Sequence, residues 1–406
     1  MAKAVARTAS RPGRLQAVIA VLDDDPTGSQ TVHGAMIVTA LDELADAPLT
    51  FYLTNTRSLP EPEAVERTYD LARRLFEHDP AVELISRSDS TLRGHVVAEV
   101  EAIDRARRDV LGDGYDGVLL IPAFFEAGRF TRGDVHYAGD TPVGETEFAQ
   151  DTTFGFSASN LVDFVAEKGG GEAWSFDADR LPEARDGQWI VVNAESYADL
   201  DAVVHGVRAS GRTFLYRTGP SFPRALAGLE ERPPLAGIPR REGHGLVVVG
   251  SHVGLTSRQV AAAQERCGLI EVELDVTDLD PAGVGEQVAD ALRTGDVLLY
   301  TSRERVDGDL SFSRRVSEAV TAVVRRALRA RPGWLIAKGG ITSHDVAVHG
   351  LGLRRAEVLG QLLPGMISVL QPIDADPDAL GMPYVVFAGN VGDEGTLAEI
   401  VERVRS

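Results

Sequence analysis

The sequence has little cysteine, no long apolar segment and no excess of basic residues. Cys267 is the single cysteine in 406 residues, so the chain forms neither an internal disulfide nor a cluster of thiolate metal ligands. No run reaches the roughly 18–20 apolar residues that a membrane-spanning helix requires. The net charge is −20, which disfavours nucleic acid and anionic membrane surfaces as partners.

The N-terminal sequence MAKAVARTASRPGR is basic and precedes a short apolar run. That run has only about eight residues, ends at three aspartates and lacks the small-residue cleavage site of a secretory signal. We therefore expect a cytoplasmic protein. The oligomeric state stays open at this stage, with a homodimer among the alternatives.

Short apolar runs alternate with helical patterns through both halves of the chain. Examples are the strand-like runs LTFYLT, GVLLIPA and TFLYRT in the first half and HGLVVVGS, DVLLYTS and PYVVFAGN in the second. Apolar strands separated by helices indicate a parallel sheet that is covered on both faces. The sequence therefore predicts an α/β protein of two domains, each a mainly parallel sheet flanked by helices, with the active site in the cleft between them.

A segment rich in Pro, Gly and charge separates the two halves and has no apolar periodicity, which is typical of a linker. It divides the chain into a domain at 1–230, a linker at 231–245 and a second domain at 246–406. Another irregular stretch, 123–157, lies inside the first half. A loop of that length in a compact domain is usually functional or a lid, and the alternative is a hairpin that only packs or dimerises.

Polar residues follow four successive predicted strands of the first half, where ligands bind in open α/β sheets. Arg57, Arg87 or Arg93 can hold a carboxylate through the two-pronged guanidinium geometry, and Asp89 and Asn55 can accept hydrogen bonds from hydroxyl groups. The candidate site residues after the first three strands are Asp23, Asp24, Asp25, Asn55, Arg57, Asp89, Ser90, Thr91, Arg93, Gly94 and His95, and residues 122–126 follow the fourth.

Each of these residues also has an ordinary structural interpretation. One aspartate after the first strand would suffice as a helix N-cap, whereas three exceed that need. Ser90 and Thr91 can equally be helix caps, and His95 can be a core histidine with satisfied hydrogen bonds. A positioned carboxylate, Asp24 or Asp25, can instead accept the proton of a reacting hydroxyl group.

The second half has three loops that run from a strand through a glycine turn to a helix: VVVGSHVGLTSRQ, AKGGITSHD and FAGNVGDEGT. Glycine lets a backbone approach a phosphate closely, and a helix N-terminus offers unpaired N–H groups. None of the loops is a Walker A sequence or a GxGxxG motif. As a set they predict a phosphate-binding surface with few lysines.

In this combination and order, the motifs resemble those of the four-carbon acid sugar kinase family, and the similarity extends from about Val18 to Arg403. The first domain of the family carries Asp-Asp-x-Thr-Gly and Asp-Ser-Thr-x-x-Gly, which match 24–28 and 89–94 here. Its second domain carries a strand-end Ser, a Gly-Gly-x-Thr loop and a later Gly-Asn. The matching residues here are Ser251, Gly339, Gly340, Ile341, Thr342, Gly389 and Asn390.

The resemblance implies an ATP-dependent kinase that phosphorylates the terminal hydroxyl group of an acid of the threonate, erythronate or 3-oxo-tetronate type. It implies that the first domain binds the sugar acid, the second binds ATP, and Mg²⁺ bridges the ATP phosphates. Asp24 or Asp25 is then the candidate base, and Asp23, outside the motif, is expected to matter least. Two alternatives use the same loops: a non-catalytic sensor of a sugar acid and a nucleotide, or a metal-dependent sugar-acid lyase or isomerase.

Overall fold

The computed structural model describes residues 18–25, 28–239, 241–250, 254–302, 310–389 and 391–405. The helices within these ranges are α1 Glu61–His78, α2 Val96–Leu111, α3 Leu161–Glu167, α4 Tyr197–Ser210, α5 Ser221–Leu226, α6 Gly254–Cys267, α7 Pro281–Ala291, α8 Leu310–Ala327, α9 Gly340–Asp345 and α10 Thr396–Arg405. The strands are β1 Ile19–Asp23, β2 Met36–Val38, β3 Leu49–Leu53, β4 Glu83–Arg87, β5 Gly117–Ile121, β6 Arg129–Arg132, β7 Val135–Ala138, β8 Thr141–Pro142, β9 Ala173–Ser175, β10 Gln188–Val191, β11 Phe214–Thr218, β12 Leu246–Val249, β13 Ile270–Leu274, β14 Val297–Thr301, β15 Leu335–Lys338, β16 Arg355–Leu363, β17 Ile367–Asp374 and β18 Tyr384–Phe387.

One 15-stranded sheet runs through both halves of the chain, in the order β13-β14-β12-β15-β18-β17-β16-β2-β3-β1-β4-β11-β5-β10-β9. The strands from β2 to β9 in this order are parallel and belong to the first half, and those from β13 to β18 are parallel and belong to the second. The predicted α/β class with mainly parallel strands is confirmed. The continuity of the sheet was not predicted.

The parallel strands are buried on both faces, as their apolar sequences require. Every residue of β1, β3, β5 and β11 is buried. Helices cover the sheet through apolar stripes, as α1 does with Leu71 and Leu75, one turn apart in the core. The longest helices of the described ranges, α1 and α8, have 18 residues each. No helix in these ranges is both long enough and apolar enough to cross a membrane.

An antiparallel hairpin, β16–β17, joins the two parallel parts of the sheet. Strand β16 has an alternating burial pattern and three register irregularities, and it pairs with β2 of the first half. The backbone N–H of Gly34 donates to the Val358 carbonyl at 2.7 Å, and Val358 N–H donates to Ala35 at 2.9 Å. A single core cluster includes Ile37 from the first half and Tyr384 from the second. The two halves therefore share both hydrogen bonds and core.

The segment predicted as a linker packs against the second half. Leu235 N–H donates to the Gln361 carbonyl at 2.7 Å. The guanidinium group of Arg241 donates to the carbonyls of Pro332, Asp378 and Leu380 at 2.6–3.0 Å. Its irregular sequence thus corresponds to a connection fixed by hydrogen bonds to backbone carbonyl groups of the second half.

The irregular stretch 123–157 forms a small separate sheet of β6, β7 and β8. Thr131 and Ala194 exchange two backbone hydrogen bonds, which attach this sheet to the first half. The buried His136 attaches it a second time, because its Nε2 lies 2.8 Å from the Ser90 carbonyl. A carbonyl only accepts, so Nε2 carries the proton and Nδ1 accepts from Thr131. Burial lowers the pKa of His136 to about 4, so it is neutral at pH 7.

We expect the two halves to unfold in one cooperative transition, because sheet pairing and core cross between them. Ile37 is buried in β2 at the junction, and Ile37→Ala should cost about 2–5 kcal/mol. Calorimetry should give a single transition with equal calorimetric and van't Hoff enthalpies, moved to lower temperature in the variant. Ile373→Ala is the control, because Ile373 in β17 is exposed. Two transitions, only one of which moves, would contradict this expectation.

Candidate active site

The carboxyl ends of three neighbouring strands bring the predicted site residues of the first half together. Strand β1 pairs in parallel with β3 and β4, so Asp23 lies beside Leu53 and Arg87. The segments after these strands therefore begin side by side. They carry Asp24 and Asp25 after β1, Asn55 and Arg57 after β3, and residues 88–95 after β4.

Asp23 is fully buried and forms an ion pair with Arg87, whose Nη1 donates to Asp23 Oδ1 at 2.8 Å. Burial raises the pKa of Asp23 to about 7, although the charge of Arg87 acts in the opposite direction. A Cβ at Gly28 would collide with the carboxylate, so this glycine is needed for packing. The expectation that Asp23 matters least is therefore revised. Its removal would leave the buried charge of Arg87 uncompensated.

Asp24 is also buried, and its Oδ2 accepts a hydrogen bond from Ser88 Oγ at 2.8 Å. Gly94 has a φ of +119°, and a Cβ there would lie 2.9 Å from Asp24 Oδ2. Both the backbone conformation and the close approach to Asp24 therefore require glycine at this position. The structure thus explains Gly94 as a packing requirement around Asp24.

A buried ionic network that the sequence analysis did not identify lies behind Asp24. Arg217 in β11 pairs with Glu99 of α2 and donates to Ser86 Oγ at 2.6 Å and Ser88 Oγ at 2.8 Å. The network therefore positions Ser88, which in turn holds Asp24. The available signal was an arginine within the otherwise apolar strand TFLYRT, since a buried charge needs a partner.

Asp25, Arg57, Asp89 and Arg93 form a second ionic cluster, and all four line a cavity. Arg57 forms ion pairs with Asp25 and, at 3.5 Å, with Asp89. Arg93 Nε donates to Asp89 Oδ2 at 2.6 Å. Burial would raise the pKa of Asp89, but Arg57 and Arg93 outweigh it and hold this pKa at about 2. Asp89 is therefore ionised at neutral pH.

Three predicted substrate-binding residues do not line this cavity: Asn55, Gly94 and His95. Asn55 has a left-handed backbone, with φ of 50°, at the turn after β3. His95 lies at the start of α2, where its Nε2 is 3.0 Å from the Leu59 carbonyl and its ring packs edge-on against Phe154. The structural interpretation of His95 fits these contacts better than a direct substrate contact. Ser90, in contrast, does line the cavity.

The glycine loops of the second half reach the same cavity through Gly340 and Gly389. Gly339 has a φ of +118°, so the backbone itself requires glycine there. Gly340 has no such φ, and a Cβ on it would meet nothing within 4 Å. Ile341 is 77% exposed, and Thr342 packs against Gly250 at the end of β12. Ser251 and Asn390 lie outside the described residues.

Lys338 is a fully buried cation under the Gly389 loop, and the sequence analysis did not single it out. Its Nζ donates to the carbonyls of Ala388 and Gly389 at 2.8 and 2.9 Å and lies 4.0 Å from the centre of the Phe387 ring. Burial lowers the pKa of Lys338 to about 7. Lys338 thus fixes the loop and places beneath it an amino group that is charged below about pH 7. A lysine at the end of an apolar strand was the signal.

The cavity has a volume of about 230 Å³ and is lined from three parts of the chain. It is smaller than most pockets for drug-sized ligands, which hold about 300–1,000 Å³, and so suits a small polar molecule. Four arginines line it against two aspartates. The lining comprises Asp25, Gln30, Arg57, Arg87, Asp89, Ser90, Thr91, Arg93, Phe124, Ala127, Arg129, Phe148, Gly340, Ala388, Gly389 and Val391.

A groove of about 350 Å³ lies at the opposite ends of the strands, near the first residues of β4 and β11. Its arginines are all neutralised by the chain. Arg107 pairs with Asp113, Arg208 with Glu83, and Arg212 with Asp116. The smaller cavity at the carboxyl ends is the stronger candidate for an anion site, because one of its arginines, Arg129, forms no ion pair within the described part of the chain.

Comparisons with known families assign a description to each half of the chain. A family described as "Sugar-binding N-terminal domain" matches residues 19–226, and one described as "Nucleotide-binding C-terminal domain" matches residues 246–397. The two matches cover the two sides of the cavity. The first alone covers just over half of the chain.

Curated relatives resemble the chain over most of its length. A D-erythronate kinase of Heliobacterium modesticaldum is 25% identical over 77% of this chain and 77% of its own. A D-threonate kinase of Salmonella typhimurium is 26% identical over 85% and 86%, respectively. A 3-oxo-tetronate kinase of Cupriavidus necator is 26% identical over 89% of each chain.

Solved structures share the fold at low sequence identity. A Haemophilus influenzae protein superposes with a TM-score of 0.66 at 19% identity, covering 94% of this chain and 99% of that protein. A Salmonella typhimurium protein gives a TM-score of 0.74 at 16% identity, covering 95% and 98%. Two family matches occur in this order, and the kinases are related to the chain over most of its length. The chain therefore belongs to the four-carbon acid sugar kinase family.

Proposed function

We propose that the protein transfers the terminal phosphoryl group of ATP to the terminal hydroxyl group of a four-carbon sugar acid. The observation that carries this proposal is that both halves line one cavity. Asp25 and the arginines lie on one side of it, and Gly340 and Gly389 lie on the other. Phosphoryl transfer requires an acceptor and a nucleotide held together, with positive charge around the transferred group. Relatives named D-erythronate, D-threonate and 3-oxo-tetronate kinase support this class of acceptor.

The two halves have different roles in this proposal. Residues 1–230 form the sugar-acid-binding domain, and residues 246–406, after the linker at 231–245, form the nucleotide-binding domain. The family matches at 19–226 and 246–397 support this division. Gly340 leaves open space at the cavity wall, and Lys338 supplies charge beneath the Gly389 loop. Nucleotide phosphates therefore bind against these two loops.

Asp25 is the better candidate for the base, because it lines the cavity and its side chain is 22% exposed. Asp24 is buried behind it and held by Ser88. In this arrangement Asp25 accepts the proton of the substrate hydroxyl group, while Arg57 keeps the carboxylate oriented. Asp24 supports the loop from below.

The carboxylates at the cavity fit a magnesium ion that is bound mainly through phosphates. Mg²⁺ in such sites keeps several waters and uses one or two protein carboxylates. Asp25 and Asp89 are the cavity-lining carboxylates, whereas the described residues contain no group of three or more metal-binding side chains. When bound, Mg²⁺ would neutralise phosphate charge, and Asp89 would hold it, because Asp25 is the proposed base.

Incubation of four- to six-carbon sugar acids with Mg-ATP, followed by measurement of ADP release, tests the proposed activity. Phosphorylation of a four-carbon acid at its terminal hydroxyl group is the expected result. Product formation without ATP would instead indicate a lyase or isomerase. Binding of both ligands without turnover would indicate a sensor.

Gly340→Val should weaken nucleotide binding without affecting the fold. Because a Cβ at Gly340 meets nothing within 4 Å, we expect an unchanged melting temperature and an unchanged Michaelis constant for the sugar acid. The ATP dissociation constant, measured by calorimetry, should rise about tenfold or more, or about 1.4 kcal/mol. Gly339→Ala is the matched variant and should lower the melting temperature, because Gly339 has a φ of +118°. Normal ATP affinity in folded Gly340→Val would disprove the assignment.

Asp25→Asn should reduce turnover by about 10²–10⁴-fold, because asparagine keeps the size of the side chain but cannot accept the proton. The melting temperature should change little, since Asp25 is only partly buried. Asp24→Asn is the comparison and should lose less turnover, because Asp24 does not line the cavity. Steady-state kinetics on both variants decides between them. A large loss in Asp24→Asn with normal turnover in Asp25→Asn would make Asp24 the base.

Nucleotide binding should take up protons above pH 7 through Lys338. In the folded protein without nucleotide the pKa of Lys338 is about 7, so its side-chain amine is largely unprotonated at pH 8. Bound phosphates favour the charged form and raise this pKa, so ATP affinity should fall as the pH rises through 7. Calorimetry at pH 8 in two buffers of different ionisation enthalpy measures the uptake. Lys338→Met should abolish it, and equal uptake in both proteins would refute the role.

A further inference from the structure

The four arginines that line the cavity differ in whether the chain already neutralises them. Arg57 pairs with Asp25 and Asp89, and Arg87 pairs with Asp23. Arg93 pairs with Asp89 at 2.6 Å and with Asp151 at 3.7 Å. These three guanidinium groups therefore have carboxylate partners before any substrate binds.

Arg129 is the exception. Within the described ranges no carboxylate oxygen lies within 4 Å of its guanidinium nitrogens, and its Nη1 donates a hydrogen bond to the Ala127 carbonyl. Its Nε atom is buried and has no hydrogen-bond partner there. Burial lowers the pKa of Arg129, but an arginine remains charged at neutral pH. Arg129 therefore feels the charge of Asp89 without contacting a carboxylate in the described residues, so its guanidinium group can still bind an anion.

An aromatic ring holds the guanidinium group of Arg129 in place. Phe148 lies 5.6 Å from Arg129 and 5.5 Å from Arg93, measured from the centre of the ring to the guanidinium carbon. Both distances lie within the range of cation–π contacts. Phe148 itself lines the cavity, so two arginines from different segments share one ring at its wall.

The backbone of Arg129 is also fixed. Phe124 and Arg129 exchange two backbone hydrogen bonds, both 2.9 Å long. Two residues further along β6, Thr131 exchanges backbone hydrogen bonds with Ala194 of the first half. A guanidinium group on such a support loses little freedom when it binds, which favours affinity.

From these contacts we propose that Arg129 binds the carboxylate of the substrate in a two-pronged contact, and that segment 123–157 thereby selects acids over neutral polyols. This inference rests on the proposed function and gives the expected role of Arg57 or Arg93 to a residue that the sequence analysis did not consider. The ligand class is a short polyhydroxy acid, with its carboxylate at Arg129 and its reacting hydroxyl group at Asp25. The irregular stretch is then part of the binding site.

The test compares Arg129→Gln with Arg132→Gln, a control in the same strand. Arg132 is exposed and pairs with Glu195, and it does not line the cavity. Loss of a charge-assisted arginine–carboxylate contact should raise the Michaelis constant for the acid about ten- to a hundred-fold in Arg129→Gln. The constant for ATP should not change, and Arg132→Gln should behave as wild type.

A neutral substrate makes the test specific. The preference for the acid over the polyol that lacks the carboxylate should fall by the same factor in Arg129→Gln, because the polyol never used the contact. Arg129→Lys keeps the positive charge but cannot make the two-pronged contact, so it should recover only part of the preference for the acid. The same variant replaces Arg129→Gln in the test if the Gln variant does not fold. If the Michaelis constants for the acid and for the polyol rise equally in Arg129→Gln and Arg129→Lys, Arg129 has only a structural role.

The outcomes separate this inference from the proposed function. If the wild-type protein phosphorylates no sugar acid, the proposed function fails, and the inference fails with it. If the wild type phosphorylates acids but Arg129→Gln and Arg129→Lys keep the wild-type Michaelis constant and preference, only the inference is overturned. Loss of the preference in Arg93→Gln but not in Arg129→Gln would make Arg93 the anchor instead.

Discussion

The buried ion pair between Asp23 and Arg87 is the contact around which the candidate site is arranged. It joins the ends of two neighbouring parallel strands, β1 and β4, where their registers coincide. The backbone carbonyl of Asp23 also accepts hydrogen bonds from the N–H and the hydroxyl group of Thr54 and from the N–H of Asn55. One residue therefore fixes the starting points of the three segments that carry the site. Removing one partner of such a pair typically costs about 3–5 kcal/mol, so its geometry is strongly maintained.

The distribution of charge is compatible with the proposal that this acidic protein binds two anionic substrates. The chain as a whole has a net charge of −20, yet four arginines line a cavity with two aspartates. Arg57 and Arg93 hold Asp89 ionised, and Asp89 in turn holds both arginines at the cavity wall. Arg129, which forms no ion pair within the described residues, adds a positive charge at the cavity wall that can attract an anion locally, while the acidic surface disfavours nucleic acid. In the second half, the amino group of Lys338 lies beneath the loop and carries a positive charge below about pH 7.

The sequence predicted the elements whose pattern is local and missed those that depend on pairing across the chain. Near-continuous apolar runs identified β1, β3, β5 and β11, because strands buried on both faces have no alternation to obscure them. The sequence analysis did not predict the hairpin β16–β17. Its alternating burial and its bulges depend on pairing with β2 and β18, which are distant in sequence or not recognisable as partners from local pattern. Of the motif residues at strand ends, several line one cavity, namely Asp25, Asp89, Ser90, Arg93, Gly340 and Gly389, whereas Gly94 does not, and Ser251 and Asn390 lie outside the described residues. Arg217 and Lys338 were not predicted, because a charged residue inside a strand sequence does not reveal its partner.

The continuous sheet also constrains how the cavity can close around substrates. The two parallel parts run in opposite directions along the sheet, because three antiparallel pairings separate them. Their carboxyl ends nevertheless line one cavity, so the sheet must turn between β2 and β18. Strand β16 has register irregularities at three places, and such bulges bend and twist a sheet. Any movement of one half relative to the other therefore has to deform this hairpin rather than a free linker, because residues 231–245 are themselves held by Leu235 and Arg241.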